Sequence, residues 1–357
     1  MRYHRITDPS SIHPDEIKSK TNEGYRVVVQ FSQIGYTGNL LKELNELTKS
    51  LDRNLEIRFY GHYSGEFDAS VLYSIPDAPN VSIDCLRKAR NLDALSALRN
   101  LKEFRLGVFE LEDTNLLSID SIHGVECLAL GETRKANFDL SYLRGYSNLI
   151  KFHTTGHAKN IGVITRLPKL ASLSLSQVKN SNSLAFVTDI CHLTDLRIIL
   201  GGRTSIADIG GVDLRNLEVI RVRGLEDIGD IGRFPKLETL LIEDQIKLKR
   251  IQFGANPLLR DIKILNCKTL EHIDHIEYLA ALQQLRIYQT ALDYEKVVRT
   301  QLPKSLKTLA FYTAKKKRDE EILKDLALRG YSEFTEKTNA QQVSAPDALP
   351  NVSDGAN

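Results

Sequence analysis

Residues 233–244, RFPKLETLLIED, set Leu237, Leu240 and Ile242 in the spacing LxxLxL, with Phe234 three positions upstream. Whether this apolar beat belongs to one amphipathic element or returns along the chain decides the fold, because self-similarity at a fixed period describes a repeat array. It returns. Aligned on its second leucine, the motif gives Val81 and Ile83, Phe104 and Leu106, Leu128 and Leu130, Phe152, and Leu173 and Leu175. It continues through Ile220 and Val222, Leu240 and Ile242, Ile262 and Ile264, Leu285 and Ile287, and Leu309 and Phe311. The steps between anchors are 23, 24, 24 and 21 residues up to Leu173, then 20, 22, 23 and 24 from Ile220. Between them lies one irregular unit, LTDLRIILGG at 193–202, whose anchor is either Leu196 or Ile199.

In each unit LxxLxL describes a short strand with its leucines turned inward and the residues between them turned outward. One such unit cannot bury its own apolar edge, so the units fold by stacking, and the two ends need covers. Residues 24–51, GYRVVVQFSQIGYTGNLLKELNELTKSL, supply one: an apolar strand at Val27–Phe31, then a helix started by Thr37-Gly38-Asn39 with Leu40, Leu44, Leu47 and Leu51 on one stripe. Residues 315–331, KKKRDEEILKDLALRGY, supply the other, a helix burying Ile322, Leu323 and Leu326 and stopped by Gly330.

The repeated motif resembles the leucine-rich repeat family, and return segments such as SIADIGGV (205–212), LEDIGDIGRF (225–234) and LEHIDHIEYL (270–279) resemble its short-repeat bacterial branch. That branch includes the internalins, and the leucine-rich regulatory subunit of protein phosphatase 1 is built in the same style. The resemblance implies an α/β leucine-rich repeat solenoid: a curved parallel sheet on the concave face, short 3₁₀ or irregular convex segments and capping helices. Ile206, Ile209, Ile228, Ile231, Ile273 and Ile276 are then convex core. The implied organisation is a strand-helix cap over 1–53, about eleven repeats over 54–313, a helical cap over 314–334 and a disordered tail over 335–357. The chain departs from the family at the asparagine position, which holds Phe109, Thr133, His157, Val178, Leu225, Gln245, Cys267 and Thr290. Without an asparagine ladder, the buried backbone groups there need other partners, such as Thr, Cys, water or tighter turns.

Composition narrows the function. Lys+Arg 48 against Asp+Glu 46 leaves a formal charge of +2, too balanced for a general nucleic-acid binder. The four cysteines, Cys85, Cys127, Cys191 and Cys267, are far apart and fit a reducing compartment better than a disulfide framework. No apolar run of membrane-spanning length and no secretory leader or LPxTG-type sorting signal is recognised, so the expectation is a cytoplasmic protein, and the short-repeat style implies a bacterial one. The pairs His153/His157 and His272/His275 match no zinc spacing, and no GxSxG, P-loop or GxGxxG motif occurs. No catalytic residues, metal site or cofactor are assigned.

What remains is the concave face. The residue between the strand leucines runs Ser82, Arg105, Ala129, His153, Ser174, then Arg221, Leu241, Lys263, Arg286 and Ala310. The next outward column runs Asp84, Gly107, Gly131, Thr155, Ser176, then Arg223, Glu243, Leu265, Tyr288 and Tyr312. Arg and Tyr are enriched in binding hot spots, so Arg221, Arg223, Lys263, Arg286, Tyr288 and Tyr312 are the expected partner-binding residues. The function expected is a non-catalytic protein-binding module, an immunity-like or regulatory inhibitor capping another protein. Two alternatives remain at this point: a substrate-recognition subunit or effector scaffold for a separate enzyme, and a secreted host-binding adhesin.

Overall fold

A computed structural model describes residues 2–332, apart from residues 64 and 136. The tail expected over 335–357 and the last residues of the C-terminal cap lie outside the described residues. The chain forms two compact units, one reaching to Lys169 and the other beginning at Leu170.

In the first unit, parallel strands β1 (Arg2–Thr7), β2 (Tyr25–Phe31), β3 (Leu55–Gly61), β4 (Asn80–Leu86), β5 (Glu103–Val108), β6 (Cys127–Leu130) and β7 (Lys151–Thr155) lie side by side in chain order. Helix α1 (Pro14–Asn22) joins β1 to β2, and α2 (Gly38–Leu51) joins β2 to β3. Thr37 caps α2 by accepting the Leu40 amide at 3.2 Å, while Leu40, Leu44 and Leu47 are buried. Strand β1 and helix α1 escaped the sequence reading because β1 is an edge strand, half-buried at best along its length, and shows no clean apolar alternation.

The second unit holds β8 (Ser172–Ser176), β9 (Asp195–Ile199), β10 (Asn216–Ile220), β11 (Thr239–Glu243), β12 (Asp261–Leu265), β13 (Gln284–Tyr288) and β14 (Thr308–Tyr312), again parallel and in chain order. Strands β9 to β13 alternate buried and half-buried residues without a break. Short 3₁₀ turns return the chain, among them Ala185–Asp189, Ile231–Arg233 and Ile276–Tyr278. On that side Ile206, Ile209, Ile228, Ile231 and Ile276 are buried as expected, whereas Ile273 is half-buried in a small strand paired with Ile251. Helix α3 (Tyr294–Arg299) and the final helix α4 (Lys316–Leu328) complete the unit, with Ile322 and Leu326 buried and Leu323 half-buried. Each unit is a stretch of α/β leucine-rich repeat solenoid.

The register corrects one expected anchor. Leu173, Leu196, Leu217 and Leu240 are successive partners, and so are Leu175, Ile198, Val219 and Ile242. The inward pair of β10 is therefore Leu217 and Val219, not Ile220 and Val222. The misreading has a physical source: LEVIRV offers two overlapping apolar spacings, and Val222 is buried as well, because it fills the turn position three residues after the inward Val219. With Leu196 and Leu217 as anchors, the steps from Leu173 to Leu240 become 23, 21 and 23 residues, and the irregular unit disappears.

Two features of the turn replace the asparagine ladder. First, Gln177, Leu200, Arg221, Asp244, Asn266 and Gln289 all have positive φ, two residues past the inward pair. Their amides donate to the carbonyls of Ile199, Ile220, Glu243, Leu265, Tyr288 and Tyr312, which carries the sheet bonding one residue beyond each strand. Second, the old asparagine position is filled by groups that reach equivalent carbonyls. Gln245 donates to Val219 O at 3.0 Å and Glu243 O at 2.7 Å, and the Cys267 thiol donates to Ile242 O at 3.7 Å and Leu265 O at 3.4 Å. In the first unit His157 does this work. Its Nδ1 accepts the Phe138 amide at 3.4 Å, so Nε2 carries the proton and donates to Gly131 O at 2.8 Å.

The corrected register predicts that Leu217→Ala lowers stability by about 2–5 kcal/mol, by loss of contacts and a residual cavity. Ile220→Ala, on the half-buried outer face, is expected to cost less than about 1 kcal/mol. Urea midpoints of the two variants measure the difference, and equal losses would restore Ile220 to the core.

His157 predicts a pH dependence. Burial holds its pKa below the ordinary histidine value. The unfolded chain therefore binds more protons between the two values, and stability rises with pH across that window. The contribution is complete above about pH 6.5, the ordinary histidine value, and is lost as the pH falls below it. Thermal melts of wild type and His157→Asn between neutral pH and pH 5 check this: the variant's loss on acidification is expected to be the smaller of the two.

Candidate functional site

The strands of the two units carry different outer faces. In the first unit the outer residues of β2 to β5 are charged yet largely covered. Arg26 is 5% exposed and pairs with Glu56 at 3.1 Å and Glu103 at 2.8 Å, while Glu56 is 4% exposed and accepts the Ser82 hydroxyl at 2.6 Å. Arg58 lies over the Tyr60 ring at 4.6 Å, donates to Gln30 at 3.2 Å and pairs at 2.7 Å with Asp84, which is 2% exposed. Burial raises the Asp84 carboxyl above its ordinary value, against the lowering effect of Arg58 and Arg105. Here nearly every charge is matched by a neighbour on the same sheet. The adjoining outer positions are small: the Cβ of an alanine at Gly131 would stand 2.9 Å from the Gly107 Cα, so close strand approach requires glycine there.

Sequence reading placed Ser82 and Asp84 on an open surface and missed Arg26, Gln30, Glu56 and Arg58. Asn54 stands where LxxLxL has its first leucine, so the motif does not mark β3, although the spacing from Ile57 to Val81 is the same 24 residues seen elsewhere.

The outer face of the second unit is open and mixed. One column, set by the register, runs Arg197, Glu218, Leu241, Lys263, Arg286, Ala310; the next runs Ile199, Ile220, Glu243, Leu265, Tyr288, Tyr312. All are half-buried except Ala310, which is buried. Lys263, Arg286, Tyr288 and Tyr312 therefore come together as expected, and the two tyrosine rings meet edge-on at 6.5 Å. Arg221 and Arg223 do not join them. Arg221 occupies the positive-φ turn after β10 and pairs with Asp244 at 2.8 Å, and Arg223 is exposed two residues further round the turn. Their places in the columns belong to Glu218 and Ile220. Two further pairs hold charges on the face: Arg197 with Glu218 at 2.6 Å and Lys263 with Asp261 at 3.7 Å.

The histidine pairs are not brought together as ligands. His157 is enclosed in its turn, His153 sits 3.1 Å from Thr155 Oγ1, and His272 and His275 are exposed. Among the described residues no group of three or more His, Cys, Asp or Glu side chains is arranged to hold a metal ion. Burial pushes the Cys267 thiol up to about 11, and that of Cys127 likewise, which keeps both protonated. Among the described residues no helix is long and apolar enough to cross a membrane.

No family model matches the chain, and no curated protein matches it. Among solved structures, it is similar to an internalin (inlF) of Listeria monocytogenes at 14% identity and TM-score 0.49, covering 83% of this chain and 88% of that one. It is similar to a leucine-rich repeat protein of Leptospira interrogans at 11% identity and TM-score 0.34, with 83% and 92% covered. In a complex of TLR13 with ssRNA13 the likeness is 14% identity and TM-score 0.44, over 80% of this chain and 46% of that one.

The buried network of the first unit predicts a specific stability pattern. Arg26→Leu leaves Glu56 covered without its cation and is expected to cost about 3–5 kcal/mol, whereas Arg26→Leu with Glu56→Leu recovers much of that loss. Denaturation of the single and double variants checks it, and a single variant as stable as wild type would remove the network's structural role.

Proposed function

We propose that the chain is a non-catalytic protein-binding module that docks another protein on the outer face of its second unit, in the manner of a regulatory or immunity-like inhibitor. The observation that carries this is the composition of two adjacent columns. Ile199, Ile220, Leu241, Leu265, Tyr288 and Tyr312 stand half-buried on regular strands instead of in the core. With strands about 4.8 Å apart, six of them present a strip roughly 24 Å long. Large apolar and aromatic groups held on a rigid sheet and bordered by Lys263, Arg286, Arg197 and Glu218 match the anatomy of an interface core with a polar rim. Rigid strand positions also add little ordering cost on association. We place the protein in a reducing, cytoplasmic compartment, a reading supported by four cysteines that form no disulfide, with Cys191 exposed.

The test is affinity capture from the source lysate with wild type, Leu241→Asp and Tyr288→Ala as baits, followed by calorimetry with the protein recovered. Leu241→Asp and Tyr288→Ala are each expected to weaken binding by at least about 2 kcal/mol, the scale of a hot-spot residue, with unchanged melting temperature. Lys151→Glu, at an exposed position of β7, is the control and should be silent. Binding unaffected by both second-unit variants would exclude this face.

A further inference from the structure

A carboxylate interrupts the apolar column of the second unit. Glu243 ends β11 with Ile220 and Leu265 as register partners on either side and Leu241 two residues back on the same face. All four are half-buried. The charged groups that act on Glu243 are Asp244 and Glu218, which oppose its charge, and Arg221, which favours it from a position already engaged at 2.8 Å with Asp244. Arg197 is committed to Glu218 at 2.6 Å, and Lys263 lies 3.7 Å from Asp261. Desolvation is the largest influence on Glu243 and holds its pKa above the usual carboxylate range.

A partner lying on this strip removes the remaining water from Glu243. Covering the carboxylate with apolar atoms alone is strongly unfavourable, and Arg221, the arginine that acts on Glu243, is paired with Asp244 at the exposed edge of the turn. Resting on the reading that this face binds a protein, we propose that the partner sets a lysine or arginine, flanked by apolar residues, onto Glu243. The apolar side chains of Ile220, Leu241 and Leu265 receive the methylene stem and the neighbouring apolar residues of the partner, while the cation meets the carboxylate. Glu243 would thus fix the register of the partner along its own column, since a one-strand shift sets the cation against Ile220 or Leu265.

The experiment is selection from a displayed library of random peptides on full-length wild type, Glu243→Gln, Glu243→Lys and Leu241→Asp. Melting temperatures confirm that each bait is folded. Wild type is expected to enrich peptides with Lys or Arg between apolar residues, and the best of them should lose about tenfold or more in affinity on Glu243→Gln. Glu243→Lys should enrich Asp or Glu at the same place. Peptides that depend on Leu241 but show no cation, or bind Glu243→Gln equally well, would overturn this inference and leave the binding face standing. Failure to enrich any peptide sensitive to Leu241→Asp would overturn both.

Discussion

The fold depends on the parallel pairing of each strand with the next, because no repeat has a hydrophobic interior of its own. A single unit contributes two inward side chains, such as Leu240 and Ile242, and these become a core only between Leu217 and Val219 on one side and Ile262 and Ile264 on the other. Pairing extends past the strand through a positive-φ residue whose amide still donates to the next repeat. A non-glycine residue in that conformation is disfavoured, most of all at Gln177, Leu200, Arg221 and Gln289, which are not Asn, Asp or Gly. The local strain persists because neighbouring repeats over-determine the geometry.

Much of this was legible in the sequence because burial alternates strictly along β9 to β13. Wherever the inward pair is flanked by polar residues, as in LRDIKI or LQQLRI, the register could be read directly. It failed at LEVIRV, where Leu217, Val219, Ile220 and Val222 are all apolar for different reasons: two face the core, one faces outward, and one fills the turn. The asparagine position shows a related limit. Sequence indicated that a partner was missing there, but only the structure shows that Gln245 and Cys267 reach equivalent carbonyls, and that His157 serves the corresponding turn of the first unit. Three unlike side chains meet the demand because it is for a donor at a fixed place, not for a particular residue type.

The outer faces show why the candidate site was only half visible. An outward strand position carries no pattern that separates a covered charge from an open one. Arg26, Glu56 and Asp84 occupy the same kind of position as Lys263 and Arg286, yet they are paired within the sheet and nearly removed from solvent. The four residues expected correctly on the second face lie on strands whose registers were right. The two misplaced arginines both follow from the one anchor that was wrong.

A charge matched within its own sheet is satisfied before any partner arrives, and to recruit it elsewhere would cost what it already has. The first unit's outer face is in this sense largely matched, through the mutual compensation of Arg26, Glu56, Glu103 and Ser82. The second face is incomplete in the opposite way. Its outer column is mostly apolar, and within it Glu243 keeps a carboxylate while Arg197, Arg221 and Lys263 are paired with other acids. Apolar area there can drive association, but area is indifferent to alignment along a row of equally spaced strands. A single charge set among Ile220, Leu241 and Leu265 distinguishes one alignment from the next, so affinity and register would come from different residues of the same surface.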